Sequence, residues 1–185
     1  NFPTIKGKKV LVVSAVDRFG MVQTFRQLTC KITYGDLIFS AVKIPILNIP
    51  IQIPITNHWV FRQIAKLILP IIANKSISEL YIIGKDQEQT DPGDFSRYYD
   101  EADIVAGDWH LMNRYMPKYL KDKIIITNTV TTVDIQSLKN RRAGWLVTTT
   151  PEFGGRSFGT NVIEALFIAI SGKHPSQISK QDFLH

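Results

Sequence analysis

The stretch that decides the fold is KVLVVSAVDRFG, residues 9–20. Within it, residues 10–14 form a short apolar, β-branched run that predicts a buried strand, and residues 15–20 predict the loop that leaves the strand. A helical pattern follows over about residues 21–28. A strand that is apolar on both faces and leads through a loop into a helix is typical of a parallel sheet covered by helices.

The same alternation of strand and helix recurs along the chain. Apolar runs predict four further strands, at 31–34, 104–106, 124–127 and 145–148. Helical patterns predict helices at about 110–120, 133–140 and 158–171. This alternation predicts a doubly wound, mostly parallel α/β sheet of the Rossmann-like type.

Residues 40–100 interrupt this alternation. They contain an apolar stretch broken by prolines, a helical pattern at about 58–72 and a short apolar run at 80–83. We interpret them as an inserted apolar and helical segment, or a cap on the sheet, within one domain that spans residues 1–185. The apolar stretch Ile44–Ile55 is a candidate surface for a homo-oligomer, because exposed apolar patches often mark partners.

Composition narrows the class of protein. The chain has 185 residues, 44% of them apolar and 21% charged, which is globular composition and excludes a disordered chain. Cys30 is the only cysteine, so an intrachain disulfide and a cysteine-based zinc site are excluded. A single thiol favours a reducing, cytoplasmic setting. The chain begins at Asn1 without a signal peptide, from which we expect the C-terminal part of a longer protein.

The net charge would suit an anionic partner, although scattered basic residues such as these usually lie on solvated helix ends. Lys and Arg number 22 against 16 Asp and Glu, a net charge of +6. The basic residues are scattered and are not interleaved with aromatic residues, so we predict no nucleic-acid partner. Prolines and charged residues break the most apolar stretches, so we predict no membrane span. The four histidines have no metal-ligand spacing, and we predict no metal site.

The predicted strands end in small or polar residues, and these are the first candidates for a ligand site. In an open parallel sheet, ligands bind beyond the carboxyl ends of the strands, where the strand order reverses. The predicted cofactor-binding residues are Ser14, Asp17, Arg18, Gly20, Asp36, Asp108, Asn128, Thr148, Thr149 and Thr150. The alternative is that these residues cap helices and form turns.

A second candidate site is GGRSFGTN, residues 154–161, between the last strand and the last helix. Glycines allow close approach of a ligand, and free N–H groups at a helix start attract anions. The predicted anion-binding residues are Gly155, Arg156, Ser157 and Thr160. The alternative is a tight turn followed by a capped helix, with Asn161 and Glu164 as a capping box. That helix is apolar almost all round, so we predict that it is buried.

The first strand-to-helix turn bears on the choice of cofactor. A dinucleotide fold normally has G-x-G-x-x-G there, whereas this chain has SAVDRFG, residues 14–20. Asp36, about twenty residues downstream, fits the acid that contacts a ribose. The spacing of Asp36 therefore favours NAD or NADP as the cofactor, whereas the missing glycine pattern at residues 14–20 opposes it.

Five segments carry a resemblance to a known family: KKVLVVSAVDRFGM, YGDLIF, RYYDEADIVAGD, IIITNTVT and LVTTTPEFGGRSFGTNVIEAL. They resemble bacterial proteins labelled quinate 5-dehydrogenase. The resemblance implies an NAD(P)-dependent oxidoreductase of the quinate/shikimate type, of which this chain is the Rossmann-like domain. It implies a nicotinamide near Asn128 and residues 148–150, and it transfers no catalytic residue to a position of this chain. The alternative hypothesis is a non-redox domain that binds a phosphorylated or carboxylate metabolite, as a sensor or a group-transfer enzyme.

Overall fold

The structure, a computed structural model, describes residues 2–39, 43–44, 49–50, 53–73 and 95–179. The strands are β1 Lys9–Val12, β2 Lys31–Tyr34, β3 Lys43–Ile44, β4 Ile49–Pro50, β5 Ile104–Ala106, β6 Ile124–Thr127, β7 Trp145–Thr148, β8 Glu152–Phe153 and β9 Arg156–Ser157. The helices are α1 Phe19–Gln27, α2 His58–Ala73, α3 Ser96–Glu101, α4 Trp109–Tyr115, α5 Thr132–Asn140 and α6 Thr160–Ser171.

Five of these strands form one parallel sheet in the order β2-β1-β5-β6-β7. The predicted α/β class and its parallel sheet are confirmed. The order reverses between β1 and β5, because the chain first moves outward to β2 and then crosses back to β5. This order is consistent with a Rossmann-like fold.

Two apolar layers cover the two faces of the sheet. Val10 and Val12 lie in one layer, with side chains of α1 and α2. Leu11 and Val13 lie in the other, with side chains of α3, α4 and α5. Successive strand residues point to opposite faces, so a strand buried on both faces must be apolar throughout. This requirement explains why residues 10–13 are an unbroken apolar run. β1 itself spans Lys9–Val12 instead of the predicted residues 10–14, and its first residue, Lys9, is exposed.

The predicted insertion is only partly described. The antiparallel pair β3 and β4 and the helix α2 fall within residues 40–100. The apolar run at 80–83 and much of Ile44–Ile55 lie outside the described residues. The insertion and its role as an oligomer surface therefore stay predictions.

Three helix boundaries differ by two or more residues from the predicted ones, and one of them is the start of the last helix, at Thr160 instead of residue 158. The predicted helix at 110–120 ends at Tyr115, because Pro117 disfavours helical geometry at Met116, which has φ −71° and ψ 127°. The first helix begins at Phe19 instead of residue 21. Gly20 consequently lies inside the first turn of α1 and not in the loop before it.

The prediction that the last helix is buried is wrong. α6 is apolar, yet none of its residues is buried. Val162, Leu166 and Ile170 are among the exposed large apolar residues of the protein. Among the described helices, none has both the length and the apolar composition needed to cross a bilayer.

Tyr99 joins α3 to α4 in the core. Its side chain has no exposed surface, and its hydroxyl donates a 2.7 Å hydrogen bond to the Met112 carbonyl. We expect Tyr99→Phe to lower the free energy of unfolding by about 1–2 kcal/mol, because the buried carbonyl loses its partner. Denaturant titration measures this loss. The control is Tyr119→Phe, at an exposed ring, and equal unfolding midpoints for the two variants would contradict the expectation.

Candidate functional site

The carboxyl ends of the five parallel strands lie along one edge of the sheet, which we call the rim. Short hydrogen bonds connect neighbouring ends: Thr149 N donates to the Thr127 carbonyl at 2.8 Å, and Thr127 Oγ1 donates to the Gly107 carbonyl at 2.9 Å. The polar strand-end residues named by the sequence therefore share one edge. They divide into two groups, which lie at different positions along it.

The first group, the first-turn cluster, surrounds the loop between β1 and α1. Its members are Ser14, Asp17, Arg18, Asp36 and Asp108. Asp36 is central, because its carboxylate accepts hydrogen bonds from the Ala15 and Val16 amides at 3.1 and 2.9 Å. These backbone N–H groups belong to the turn that would hold a pyrophosphate in a standard dinucleotide site. In this protein they bind a carboxylate of the chain itself.

Burial raises the pKa of Asp36 to about 6. The hydrogen bonds from Val16 and Ala15 act in the opposite direction, because they stabilise the carboxylate, and the nearby charge of Asp17 raises the pKa further. Desolvation is the largest of these effects. The first-turn cluster thus contains a carboxyl group that titrates close to neutral pH.

Arg18 connects this loop to the end of β5. Its guanidinium lies 3.4 Å from the Asp108 carboxylate and 3.9 Å from that of Asp17. Asp108 also caps α4 by accepting a hydrogen bond from Leu111 N, and its own N–H donates to Ser14 Oγ at 3.4 Å. Asp108 is therefore a capping residue and an ion-pair partner at once. The cluster holds three carboxyl groups against one guanidinium.

Gly107 is a rim residue that the sequence did not single out for the site. Its φ is +138°, a conformation that L side chains rarely adopt. A Cβ atom at this position would lie 2.5 Å from Val13 Cγ2 and 3.4 Å from Ser14 N. The glycine therefore allows the ends of β1 and β5 to approach each other closely at the point where the strand order reverses.

The glycines of GGRSFGTN have a different role from the one predicted for a ligand loop. Residues 152–157 form an antiparallel hairpin whose two-residue turn is Gly154-Gly155, with φ +60° and +84°. A tight hairpin turn with two positive φ angles strongly favours glycine. The tight-turn alternative thus describes the backbone of this segment.

The second group, the hairpin cluster, lies where this hairpin meets the loop after β6. Its members are Asn128, Thr129, Thr150, Arg156, Ser157 and Thr160. Ser157 is buried, and its hydroxyl accepts a hydrogen bond from Val130 N at 3.2 Å. Thr150 Oγ1 donates to the Phe158 carbonyl at 2.6 Å. Both hydroxyls attach the hairpin to the sheet.

Arg156 is the exposed cation of the hairpin cluster. Its guanidinium carbon lies 5.5 Å from the centre of the Phe158 ring. Within the described part of the chain, it has no carboxylate within 4.0 Å. Its charge is therefore available to a ligand, in contrast to the charge of Arg18.

The start of α6 adjoins this hairpin. Thr160 is its exposed first residue, and Gly159 precedes it without a side-chain cap. The predicted capping box of Asn161 and Glu164 is wrong, because the helix begins at Thr160, two residues before the start that a cap at Asn161 would require. The N–H groups of the first turn consequently lack a side-chain acceptor within the described residues.

Asn128 is the one buried side chain of the described residues with an unpartnered polar atom. Only 7% of the residue is exposed, and Oδ1 has no hydrogen-bond partner. An unpaired buried acceptor costs about 1–3 kcal/mol, so buried polar atoms are nearly always paired with a protein group, an ordered water or a ligand. A ligand that donates a hydrogen bond to this oxygen would offset that cost.

The remaining predicted residues make fewer contacts. Thr148 is the half-buried last residue of β7, and Thr149 contributes its backbone N–H to the sheet while it is itself exposed. Gly155, predicted to bind an anion, lies in the hairpin turn, and its N–H already donates to the Glu152 carboxylate of the same hairpin. Gly20 has open space around its Cα.

A hydrogen-bonded pair at the end of β2 was missed by the sequence analysis. The Tyr34 hydroxyl lies 2.9 Å from His58 Nδ1, although 24 residues separate the two in the chain. Burial, together with the charges of Arg26 and Arg62, lowers the pKa of His58. No sequence signal could have found the pair, since His58 belongs to a helix outside the strand–helix alternation.

The described residues also contain no group of three or more His, Cys, Asp or Glu side chains that could hold a metal ion. The fold and the rim define an open α/β domain whose polar strand-end residues lie along one edge of the sheet, on which the strand order reverses between β1 and β5. The chain belongs to the family described as a domain of unknown function (DUF8754), which matches residues 2–185. No curated protein and no solved structure matches the chain.

Proposed function

We propose that this domain binds a phosphorylated or carboxylate metabolite at the hairpin cluster, as a sensor or a group-transfer enzyme without redox chemistry. The observation that carries the proposal is the uneven charge along the rim. The guanidinium of Arg156 has no acidic partner among the described residues, whereas that of Arg18 faces two aspartates. The hairpin contributes one carboxylate, that of Glu152, which accepts from the Gly155 N–H. An anion would thus meet one carboxylate and a guanidinium without an ion-pair partner in the described chain at the hairpin, against three carboxyl groups and a paired guanidinium at the first-turn cluster.

The first turn supports this choice over a standard dinucleotide site. A bound pyrophosphate needs free backbone N–H groups at the start of the first helix. The Ala15 and Val16 N–H groups already donate to Asp36, whose carboxylate would also repel phosphate. A dinucleotide could bind in the usual way only after this carboxylate was displaced.

The ligand that fits has an anionic group and a hydrogen-bond donor. The anionic group would take a bidentate contact from Arg156 and the free N–H groups at the start of α6. The donor, such as a hydroxyl group, would satisfy Asn128 Oδ1, which is buried without a partner. Thr160 supplies a further hydroxyl at the same end of the rim.

The second candidate is an NAD(P)-dependent oxidoreductase of the quinate/shikimate type. The strand order favours it, because the reversal between β1 and β5 is the place where doubly wound domains bind nucleotides. The sequence resemblance points to the same activity. In this candidate the chain would need NAD or NADP, and the first turn would have to rearrange around Asp36.

Calorimetric titration separates the two candidates. The ligands are inorganic phosphate, glucose 6-phosphate and citrate in one set, and NAD⁺, NADH, NADP⁺ and NADPH in the other. We expect binding from the first set only, and a loss of about tenfold or more in affinity for Arg156→Ala, because a charge-assisted hydrogen bond contributes about 1.5–3 kcal/mol.

The matched control is Arg62→Ala, which removes the same charge from an exposed position on α2 and should leave the affinity unchanged. Binding of a dinucleotide at millimolar concentration, with no effect of Arg156→Ala, would replace the proposal by the oxidoreductase candidate. Absence of binding in both sets would reject both candidates for this chain.

A further inference from the structure

The exposed face of α6 is an apolar surface without a partner in the described part of the chain. α6 has the sequence TNVIEALFIAIS, in which Glu164 is the only charged residue. A helix that is apolar on all sides is normally buried on all sides. Here Ile163 and Phe167 are half-buried on one side, while Val162, Leu166 and Ile170 are 52%, 49% and 76% exposed on the other.

The exposed residues form one continuous face. Residues three and four positions apart are neighbours on a helix surface, so Val162, Leu166 and Ile170 follow one another along the helix. Ala165 and Ala169 are also exposed and lie beside them. Glu164 is two positions from both Val162 and Leu166, so it belongs to a different side of the helix. The exposed face is therefore apolar and uncharged.

The absence of charge limits the kind of partner. No Lys or Arg occurs between Arg156 and Lys173. Helices that lie on a membrane surface usually have basic residues beside the apolar face, and acidic partners need such residues as well. The matching surface must therefore be apolar and uncharged, and a second copy of the same face meets this condition without bringing like charges together.

We propose that two copies of this chain pack through the exposed faces of α6, antiparallel, about a two-fold axis at Leu166. A two-fold interface uses the same surface on both subunits, so that surface must be self-complementary. Val162 and Ile170 lie four positions on either side of Leu166. In the dimer each Val162 therefore meets Ile170 of the other copy, and the small Ala165 and Ala169 let the two helices approach closely.

The area of the exposed α6 face determines how tightly the two copies are expected to bind each other. Stable interfaces bury about 800 Å² on each partner. A helix of 12 residues is about 18 Å long, so α6 alone provides less than that area. Phe153, on the hairpin just before α6, is a further exposed apolar residue, 50% exposed. We therefore expect a dimer that dissociates on dilution, with both species present at micromolar concentrations.

Sedimentation velocity of the 185-residue chain over a range of concentrations tests the proposal. We expect the wild-type mass to double at high concentration, and Leu166→Glu and Ile170→Glu to remain monomeric throughout. Both positions are exposed, so neither substitution disturbs the core, and circular dichroism verifies the fold. The matched control is Val133→Glu, at an apolar residue of α5 that is 75% exposed, which should still dimerise.

Cysteine cross-linking tests the geometry independently, because Cys30 is the only native cysteine. In a Cys30→Ser background, Leu166→Cys should form an intermolecular disulfide with itself. Val162→Cys should do so only when Ile170→Cys is present in the same chain. A monomer at every concentration, a dimer that survives Leu166→Glu, or self-cross-linking of Val162→Cys alone would each overturn the proposal.

Discussion

Replacing Gly107 with alanine should lower the free energy of unfolding by about 4 kcal/mol, from the combined effects of backbone strain and overpacking. The φ angle of +138° is unfavourable for alanine, and the new Cβ atom would lie 2.5 Å from Val13 Cγ2. Val13 has no exposed surface, so it cannot move aside. Since small domains are stable by only about 5–15 kcal/mol, this loss is a large fraction of the total. Denaturant titration followed by circular dichroism measures it.

Gly7 provides the matched control for the backbone effect. Its φ is +76°, but a Cβ atom there would meet nothing within 4 Å. We expect Gly7→Ala to cost only about 1 kcal/mol, the penalty for a left-handed conformation. Equal losses for the two variants would show that the contact with Val13 is relaxed without cost and would contradict the role we assign to Gly107.

The second large effect is a dependence of stability on pH that originates from Asp36. The carboxyl group has a pKa of 3.8 in its ordinary environment and about 6 in the folded protein, because it is buried. Between these values the folded protein binds more protons than the unfolded chain. The contribution of Asp36 to the free energy of unfolding therefore increases as the pH falls from 7 to 4, by about 2 kcal/mol.

Asp36→Asn should remove this contribution. The amide retains one oxygen that can accept from the Ala15 or Val16 amide, but it does not titrate. We expect the stability of the wild type relative to the variant to rise by about 2 kcal/mol between pH 7 and pH 4, measured by denaturant titration at each pH. Glu101→Gln, at an exposed carboxyl group of α3, should retain the wild-type dependence. An unchanged difference between wild type and Asp36→Asn across this range would refute the assignment.

The strands of the sheet could be predicted closely because each is short, apolar and isolated by polar segments. Residues 31–34, 104–106, 124–127 and 145–148 have the predicted bounds. The helix ends were less predictable, since they depend on local effects. Pro117 shortens α4, and the first turn of α1 extends back over Phe19 and Gly20.

The sequence predicted which residues lie on the rim, but it did not predict which hydrogen bonds those residues make. Strand ends in a parallel sheet share an edge, so the residues of the rim follow from the strand assignment alone. The hydrogen-bond partners of these residues cannot be derived from the strand assignment. Asp36 matched a ribose-binding acid by its spacing, yet it accepts from the amides of the first turn, and Ser157 matched an anion ligand, yet its hydroxyl accepts from Val130 N.

The sequence by itself determined the α/β class, the parallel sheet and the edge on which its polar residues lie, because hydrophobic periodicity and strand length are local properties. Only the tertiary structure decided which charges are neutralised and which surfaces remain open. Arg18 faces two aspartates, Arg156 faces none of the described acids, and the apolar α6 leaves one side exposed. These outcomes depend on distances between residues far apart in the chain, and no local pattern encodes such distances.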